Sequence, residues 1–305
     1  LDIAGNRGQV SSTNWQYDAS IATPTITLNQ GALFTNAATV SVGVGNDAEA
    51  AGWLIGTTAG KPAEDDPQWL AEEPSNFWLG AVDGTRSVYL WTRDAVGNIS
   101  ATATASIVLD MTPAIITLTM PSVDNQSISG TYSLSEAVAS ATISFAGNGQ
   151  VVGTRLTNLA CGTHTLNLSG SGLGLIDGSY TVLIVAVDYA GNPCESNHSS
   201  WRYDTIVPVI TLNKPAANGI DNKSIGVDCM SSEALSNMML VFSSEGTQVY
   251  ATTVTTGSTT IDGSALTHGE TYTVQIVGTD TAGNAGSSSI VNNWRYDNEA
   301  AVPTL

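Results

Sequence analysis

Asp188-Tyr189-Ala190-Gly191-Asn192, followed nine residues later by Trp201-Arg202-Tyr203-Asp204, is the stretch from which the fold is read. An alternating apolar run from Tyr180 to Val187 leads into it. Its first half holds turn-forming residue types: an Asp whose side chain caps backbone N–H groups and a Gly that accepts positive φ. In its second half, Trp201 and Tyr203 fall on one face of an extended chain and Arg202 on the other. The stretch therefore reads as strand, tight turn, strand.

Both halves recur in phase. The motif Asp-x-x-Gly-Asn begins at Asp2, Asp94, Asp188 and Asp280, at spacings of 92, 94 and 92 residues. The second landmark ends at Asp18, Asp110, Asp204 and Asp297, at spacings of 92, 94 and 93, as Trp15–Asp18, Ile107–Asp110, Trp201–Asp204 and Trp294–Asp297. A period of about 93 residues is too long for a solenoid and suits one β-sandwich. Cutting after each aspartate gives modules 19–110, 111–204 and 205–297. Residues 1–18 then read as the last strand of a preceding module, and 298–305 as the start of a following one.

Within the second module the runs Ile115–Leu118, Ile128–Leu134, Ala141–Phe145, Thr163–Leu168, Tyr180–Val187 and Ser199–Tyr203 read as strands A, B, C, E, F and G. Gly, Asn, Asp and Ser clusters separate them, and no stretch holds a helical apolar period. Tyr180 and Tyr272, each just past a Gly turn, read as tyrosine corners. The expected fold is all-β: tandem immunoglobulin-like Greek-key sandwiches forming an extended rod.

The totals agree. With 27 acidic and 9 basic side chains the chain is a polyanion of formal charge -18, which repels nucleic acid and anionic membranes and attracts cations. A hydrophobic fraction of 42% argues for packed domains over an acidic disordered chain. The longest apolar stretch, Val182–Val187, is far too short to span a membrane. Three cysteines make neither a disulfide scaffold nor a metal pair.

Asp-x-x-Gly-Asn near each module end, a linker Asp followed by Pro (Asp110 and Pro113, Asp204 and Pro208), and Ser-Glu-Ala before strand C (Ser135-Glu136-Ala137, Ser232-Glu233-Ala234) resemble bacterial immunoglobulin-like repeats. The resemblance covers nearly the whole chain and implies a stalk segment of a large secreted or cell-surface adhesin, often with calcium at the module junctions. The first module departs from it, lacking the Ser-Glu step and having a longer middle.

Topology turns these motifs into a site. In such a sandwich the B–C and F–G turns and the incoming linker share one pole. That gathers Asp110, Glu136, Asp188 and Asn192 for the second module, and Asp204, Glu233, Asp280 and Asn284 for the third. For the first it gathers Asp18, Asp94 and Asn98, with Asp47 or Glu49 from the B–C region. Carboxylates crowded at one pole stay solvated and apart, or a hard cation neutralises them; oxygen ligands without His or Cys suit Ca²⁺. The alternative stands beside it: Asp-x-x-Gly-Asn is also simply a good hairpin.

Cys161 and Cys194 are placed at the same pole, where a disulfide or two thiols are open readings; Cys229 reads as a small core residue. The first module combines acids with Trp53, Trp69, Trp78 and Trp91, either a core around a long C–C′ hairpin or, through Trp69 and Trp78, a sugar platform. No nucleophile pattern flanks His164, His198 or His268, and the acids recur at module ends instead of once in a cleft, so no enzyme is expected. The leading expectation is an extracellular adhesin stalk whose partners are neighbouring modules and an unknown receptor or glycan. Carbohydrate binding through the first module, and a filament in which residues 1–18 add a strand to another copy, are the alternatives.

Overall fold

The computed structural model describes residues 3–7 and 17–299. Of the expected strand within 1–18, Asp2 and residues 8–16 with Trp15 lie outside them, as do residues 300–305. The chain divides into two compact units, one of residues up to 114 together with 187–193, the other of 115–186 together with 194 onward.

In the first unit, β1 (Thr25–Leu28), β3 (Thr39–Gly45) and β5 (Asn76–Trp78) form one sheet in the order β1-β3-β5. The second sheet joins β2 (Phe34–Thr35), β7 (Ala103–Leu109), β6 (Gly84–Arg93) and β4 (Gly52–Gly56) in the order β2-β7-β6-β4. Their inner faces supply one core, with Leu28, Val40, Val88, Leu90, Ile107 and Leu109 buried. Alternation places these residues inward, and each fully buried aliphatic side chain contributes about 1.5–3 kcal/mol.

Among the described residues no further strand lies between β4 and β5. After β4 the chain makes a long excursion through 57–75 and returns as β5. Trp53 of β4 and Leu70 of the excursion exchange backbone hydrogen bonds at 3.0 and 2.7 Å. Pro62, Pro67 and Pro74 lack the N–H that a ladder needs, so the segment cannot pair along its length.

The second unit repeats the plan twice. β8 (Ile116–Thr119), β10 (Ser127–Leu134) and β13 (Gly162–Ser169) form a sheet ordered β13-β10-β8. Opposite it run β12 (Gln150–Arg155), β11 (Val138–Gly147), β14 (Gly178–Asp188), β15 (Pro193–Tyr203) and β9 (Val123–Asp124), ordered β12-β11-β14-β15-β9. The third module matches it. β16 (Ile210–Lys214), β18 (Ser224–Ser231) and β21 (Gly257–Asp262) make one sheet; β17 (Ile220–Asp221), β24 (Val291–Tyr296), β22 (Thr271–Asp280), β19 (Leu235–Ser244) and β20 (Thr247–Thr253) make the other, with β23 (Ala285–Ser287) beside β22. An A-B-E sheet against an A′-G-F-C-C′ sheet is the immunoglobulin-like sandwich, as expected.

The expected tyrosine corners are present. Tyr180 Oη donates to the Ile176 carbonyl at 2.8 Å, and Tyr272 Oη accepts the Thr267 N–H at 2.9 Å. Strand G of the second module starts at Pro193, not Ser199. The polar run Glu195–Ser199 reads as loop by hydropathy, yet an edge position next to β14 needs only backbone groups.

Trp201 and Trp294 are completely buried, and their indole N–H groups would be costly to leave unpaired. A short parallel strand solves this: Asp124 on β9 accepts Trp201 Nε1–H at 3.0 Å, and Asp221 on β17 accepts Trp294 Nε1–H at 2.8 Å. In the first module the Trp is replaced by Ile107, and the Asp by Thr35 at the matching register of β2. Partner and need disappear together.

Candidate metal centre at the module junctions

The Asp-x-x-Gly-Asn turns are built alike. In the third module Asp280 Oδ1 accepts the N–H groups of Ala282 (2.7 Å) and Asn284 (2.9 Å). Gly283 holds φ +97°, a region that a side chain makes strained. Asn284 Nδ2 donates both to Asp280 Oδ2 (2.9 Å) and to the carbonyl oxygen of Asp204 (2.8 Å), where the chain enters the module. In the first unit, Asp188 Oδ1 takes the N–H groups of Ala190, Gly191 and Asn192 at 2.8–2.9 Å. Asn192 Nδ2 donates to Asp188 Oδ2 and to the Asp110 carbonyl, both at 2.8 Å. The motif is thus a turn and a latch on the incoming linker.

The first module keeps the turn and alters the latch. Asp94 accepts the N–H of Val96 and Asn98, and Asn98 Nδ2 reaches Asp94 Oδ2 (2.7 Å) and the side chain of Asp18 (3.5 Å). Asp47 faces elsewhere, accepting Trp53 Nε1–H at 2.9 Å, and Glu49 is exposed. The carboxylate that approaches this turn is Glu64, from the long excursion, packed against the face of Gly97. No repeat signal points to Glu64, because the excursion has no counterpart in the other modules.

Among the described residues one set of three carboxylates converges: Asp204, Glu233 and Asp280, each offering an oxygen within 4.8 Å of the others. β15 delivers Asp204, whose N–H is held by the Asp124 carbonyl (3.0 Å); Glu233 comes from the turn between β18 and β19, and Asp280 ends β22. Asp204 and Asp280 are each 1% exposed. Asp204 Oδ2 is buried and accepts no hydrogen bond. Arg202 Nη2 lies 2.6 Å from it, a charge contact without hydrogen-bond geometry, from a side chain that is half exposed. Of the matching set, Asp110, Asp188 and Asn192 meet in the first unit, while Glu136 sits in the second unit in the turn before β11.

The carboxylates respond to this crowding in opposite ways. Burial, then the charges of Asp204 and Asp280, raise the Glu233 carboxyl above its ordinary range, with Arg202 opposing. Burial alone would raise Asp280 too, but hydrogen bonds from the Asn284 side chain and from the backbone of Asn284, Ala282 and Gly283 outweigh it and hold it low. Asp94 is held low in the same manner by Asn98, Val96 and Gly97. The donor set is all oxygen and carries three potential negative charges, opposed by the half-exposed Arg202 at Asp204 Oδ2. It fits a hard divalent cation.

Cys161 and Cys194 are not joined by a disulfide, unlike one of the two expectations. Cys161 lies just before β13 with Sγ toward the Ser135 carbonyl (3.1 Å), whereas Cys194 lies on β15 with Sγ toward the Ala186 carbonyl (3.7 Å). Cys229 is fully buried in the third core. Trp91 is buried, and Trp53 packs against the first core. Trp69 lies on the excursion with Arg93 5.0 Å above its ring, and Trp78 is 64% exposed.

Residues 171–302 match the bacterial Ig-like domain, group 3. This Ig-like match covers the third module and the end of the second. No curated protein matches the chain. Among solved structures, a bacterial ice-binding adhesin of 1.5 MDa that is retained at the host cell surface is similar over 92% of this chain and 100% of its own, at 18% identity and a TM-score of 0.35. A tetra-tandem repeat from the extending region of a large adhesion protein is similar over 88% and 73%, at 21% identity and 0.31. Fibronectin(III)-like modules of Clostridium thermocellum CbhA are similar over 60% and 95%, at 15% identity and 0.35.

Proposed function

We propose that this chain is a stalk segment of a bacterial surface adhesin, lying outside the cell, in which a divalent cation, best calcium, sits at Asp204, Glu233 and Asp280. One observation carries the cation: the carboxylates of Asp204, Glu233 and Asp280 converge within 4.8 Å, two of them 1% exposed, against the single half-exposed guanidinium of Arg202 at Asp204 Oδ2. The phased Ig-like modules and the bacterial Ig-like match over residues 171–302 support the stalk. When bound, the cation would offset the mutual repulsion of the three acids. Asp204 ends one sandwich while Glu233 and Asp280 belong to the next, so holding them together stiffens the linker. Extracellular calcium modules bind at about 10⁻⁴–10⁻³ M, and at ten to a hundred times that constant one site adds roughly 1.4–2.7 kcal/mol.

The test is a pair of thermal melts, in EGTA and in millimolar calcium. Calcium is expected to raise the melting temperature of the unsubstituted chain and to leave an Asp204→Asn, Glu233→Gln chain unmoved. Equal melts for the unsubstituted chain would end the proposal.

A second reading rests on the first module. Trp78 stands exposed at an open cleft of about 880 Å³ that Thr57, Gln68, Phe77 and Arg86 also line. An indole face with amide, hydroxyl and guanidinium donors around it suits a saccharide ring. A glycan array in which no hit depends on Trp78 would remove this reading.

A further inference from the structure

One position clasps the chain as it leaves each module, and its chemistry changes in the third. It is the residue before the glycine at the entry to strand F. In the first module Asp83 Oδ1 accepts the Met111 N–H (2.9 Å) and Oδ2 accepts the Thr112 hydroxyl (2.6 Å). In the second, Asp177 accepts the Thr205 N–H and the Thr205 hydroxyl, the latter at 3.0 Å. Met111 and Thr205 directly follow the linker aspartates Asp110 and Asp204.

In the third module the clasp is His268. Its Nδ1 accepts the N–H of Asn298, the residue directly after Asp297, at 3.3 Å. The same nitrogen lies 3.3 Å from Asp297 Oδ1, and Nε2 lies 3.4 Å from Glu299 Oε2. Arg295 Nη2 is 3.9 Å from the other Asp297 oxygen, and Glu270 stands two residues along the same turn, its carbonyl bound by the Tyr296 N–H. The ring is one-third exposed.

A carboxylate clasp accepts hydrogen bonds at any pH above the acid range. The hydroxyl of Thr112 and the N–H of Met111 hold Asp83 below its ordinary range, so that clasp persists further still. An imidazole accepts only when neutral, because both nitrogens of the charged ring are donors. Histidine is also the side chain whose charge changes between about pH 5 and 8.

We propose that His268 makes the exit from the third module pH-sensitive. Neutral His268 pins Asn298 through Nδ1. Charged His268 gives up that bond, and its two N–H groups pair with the carboxylates of Asp297 and Glu299. The exit is clasped in neutral medium and released in acid, while the exits of the first two modules hold throughout. The device is independent of the cation at Asp204, Glu233 and Asp280.

The test is amide hydrogen exchange by NMR on the full chain, expressed as protection factors to remove intrinsic pH effects. Between about pH 7.5 and 5.5 the protection of Asn298 N–H is expected to fall several-fold, with Met111 and Thr205 unchanged. His268→Asp restores the carboxylate of the sister modules and should make Asn298 flat over the same range. Constant protection of Asn298 in the unsubstituted chain would overturn the proposal, as would an equal fall in His268→Asp. A shift of the Asn298 resonance without loss of protection would show that the amide merely senses the ring charge, and would overturn it as well.

Discussion

Asn284 and Asp204 stand 80 residues apart in the chain and are joined by one hydrogen bond, from Asn284 Nδ2 to the Asp204 carbonyl at 2.8 Å. The second hydrogen of the same amide goes to Asp280 Oδ2 at 2.9 Å. One side chain therefore ties the entry of the third module to its F–G turn, and Asn192 does the same for Asp110 and Asp188.

Removing that amide leaves a buried carboxylate oxygen and a carbonyl short of a donor. Asn284→Ala is expected to destabilise the third module by about 1–3 kcal/mol, read as a lower denaturation midpoint at unchanged slope. Asn284→Asp should cost more in divalent-free buffer, since it sets a third charge against Asp280. A midpoint unchanged in both variants would show that the latch contributes nothing.

Gly283 is required by its backbone. At φ +97° a β-carbon is strained whatever the space, and the side chain of Asn125 lies 3.3 Å from where that carbon would sit. Gly283→Ala should cost roughly 1–2 kcal/mol, whereas Gly226→Ala, with no neighbour within 4 Å of its β-carbon and no positive φ, should cost less. Equal losses would refute the conformational reason.

The Asp124–Trp201 pair calls for a double-mutant cycle. Asp124→Ala leaves a fully buried indole N–H unpaired and is expected to cost about 1–3 kcal/mol. In a Trp201→Phe background the same substitution should cost clearly less, because the need is gone; the residue reports the Ser129 hydroxyl that Asp124 also holds at 2.8 Å. Equal costs in both backgrounds would mean that the pair is not coupled.

The pH profile in divalent-free buffer should show two opposite contributions. Glu233 titrates above 4.5, so the folded state holds its proton more tightly; the stability it confers is complete below 4.5 and is lost as pH rises through the raised value. Asp280 and Asp94 titrate below 3.8; their contribution is present above 3.8 and is lost as pH falls through the lowered values. Glu233→Gln should therefore raise the neutral-pH melting temperature by roughly 2–4 °C without calcium, and lower it with calcium. A change of the same sign in both buffers would contradict the cation site.

Part of this site was legible in the residues and part was not. Turn motifs mark loop positions and sandwich topology sends alternate loops to the same end, which puts Asp204, Glu233 and Asp280 at one pole from residue types alone. Glu64 was not foreseen, since the excursion through 57–75 repeats nothing and only its packing brings that carboxylate to Gly97. Asp124 and Asp221 were not foreseen either. Their role depends on the parallel register of two-residue strands, which leaves no periodic trace.

The phase of Asp-x-x-Gly-Asn and the period-two alternation of runs such as Tyr180–Val187 determined an all-β chain of Ig-like sandwiches by themselves, because strand faces and turn conformations are local consequences of residue type. The tertiary structure alone decided which groups touch: the Asn284 amide on the Asp204 carbonyl, the indole of Trp201 on Asp124, the imidazole of His268 on Asn298. Those contacts join residues 30 to 80 positions apart, and at that separation strand register and side-chain packing, not local preference, fix the distances.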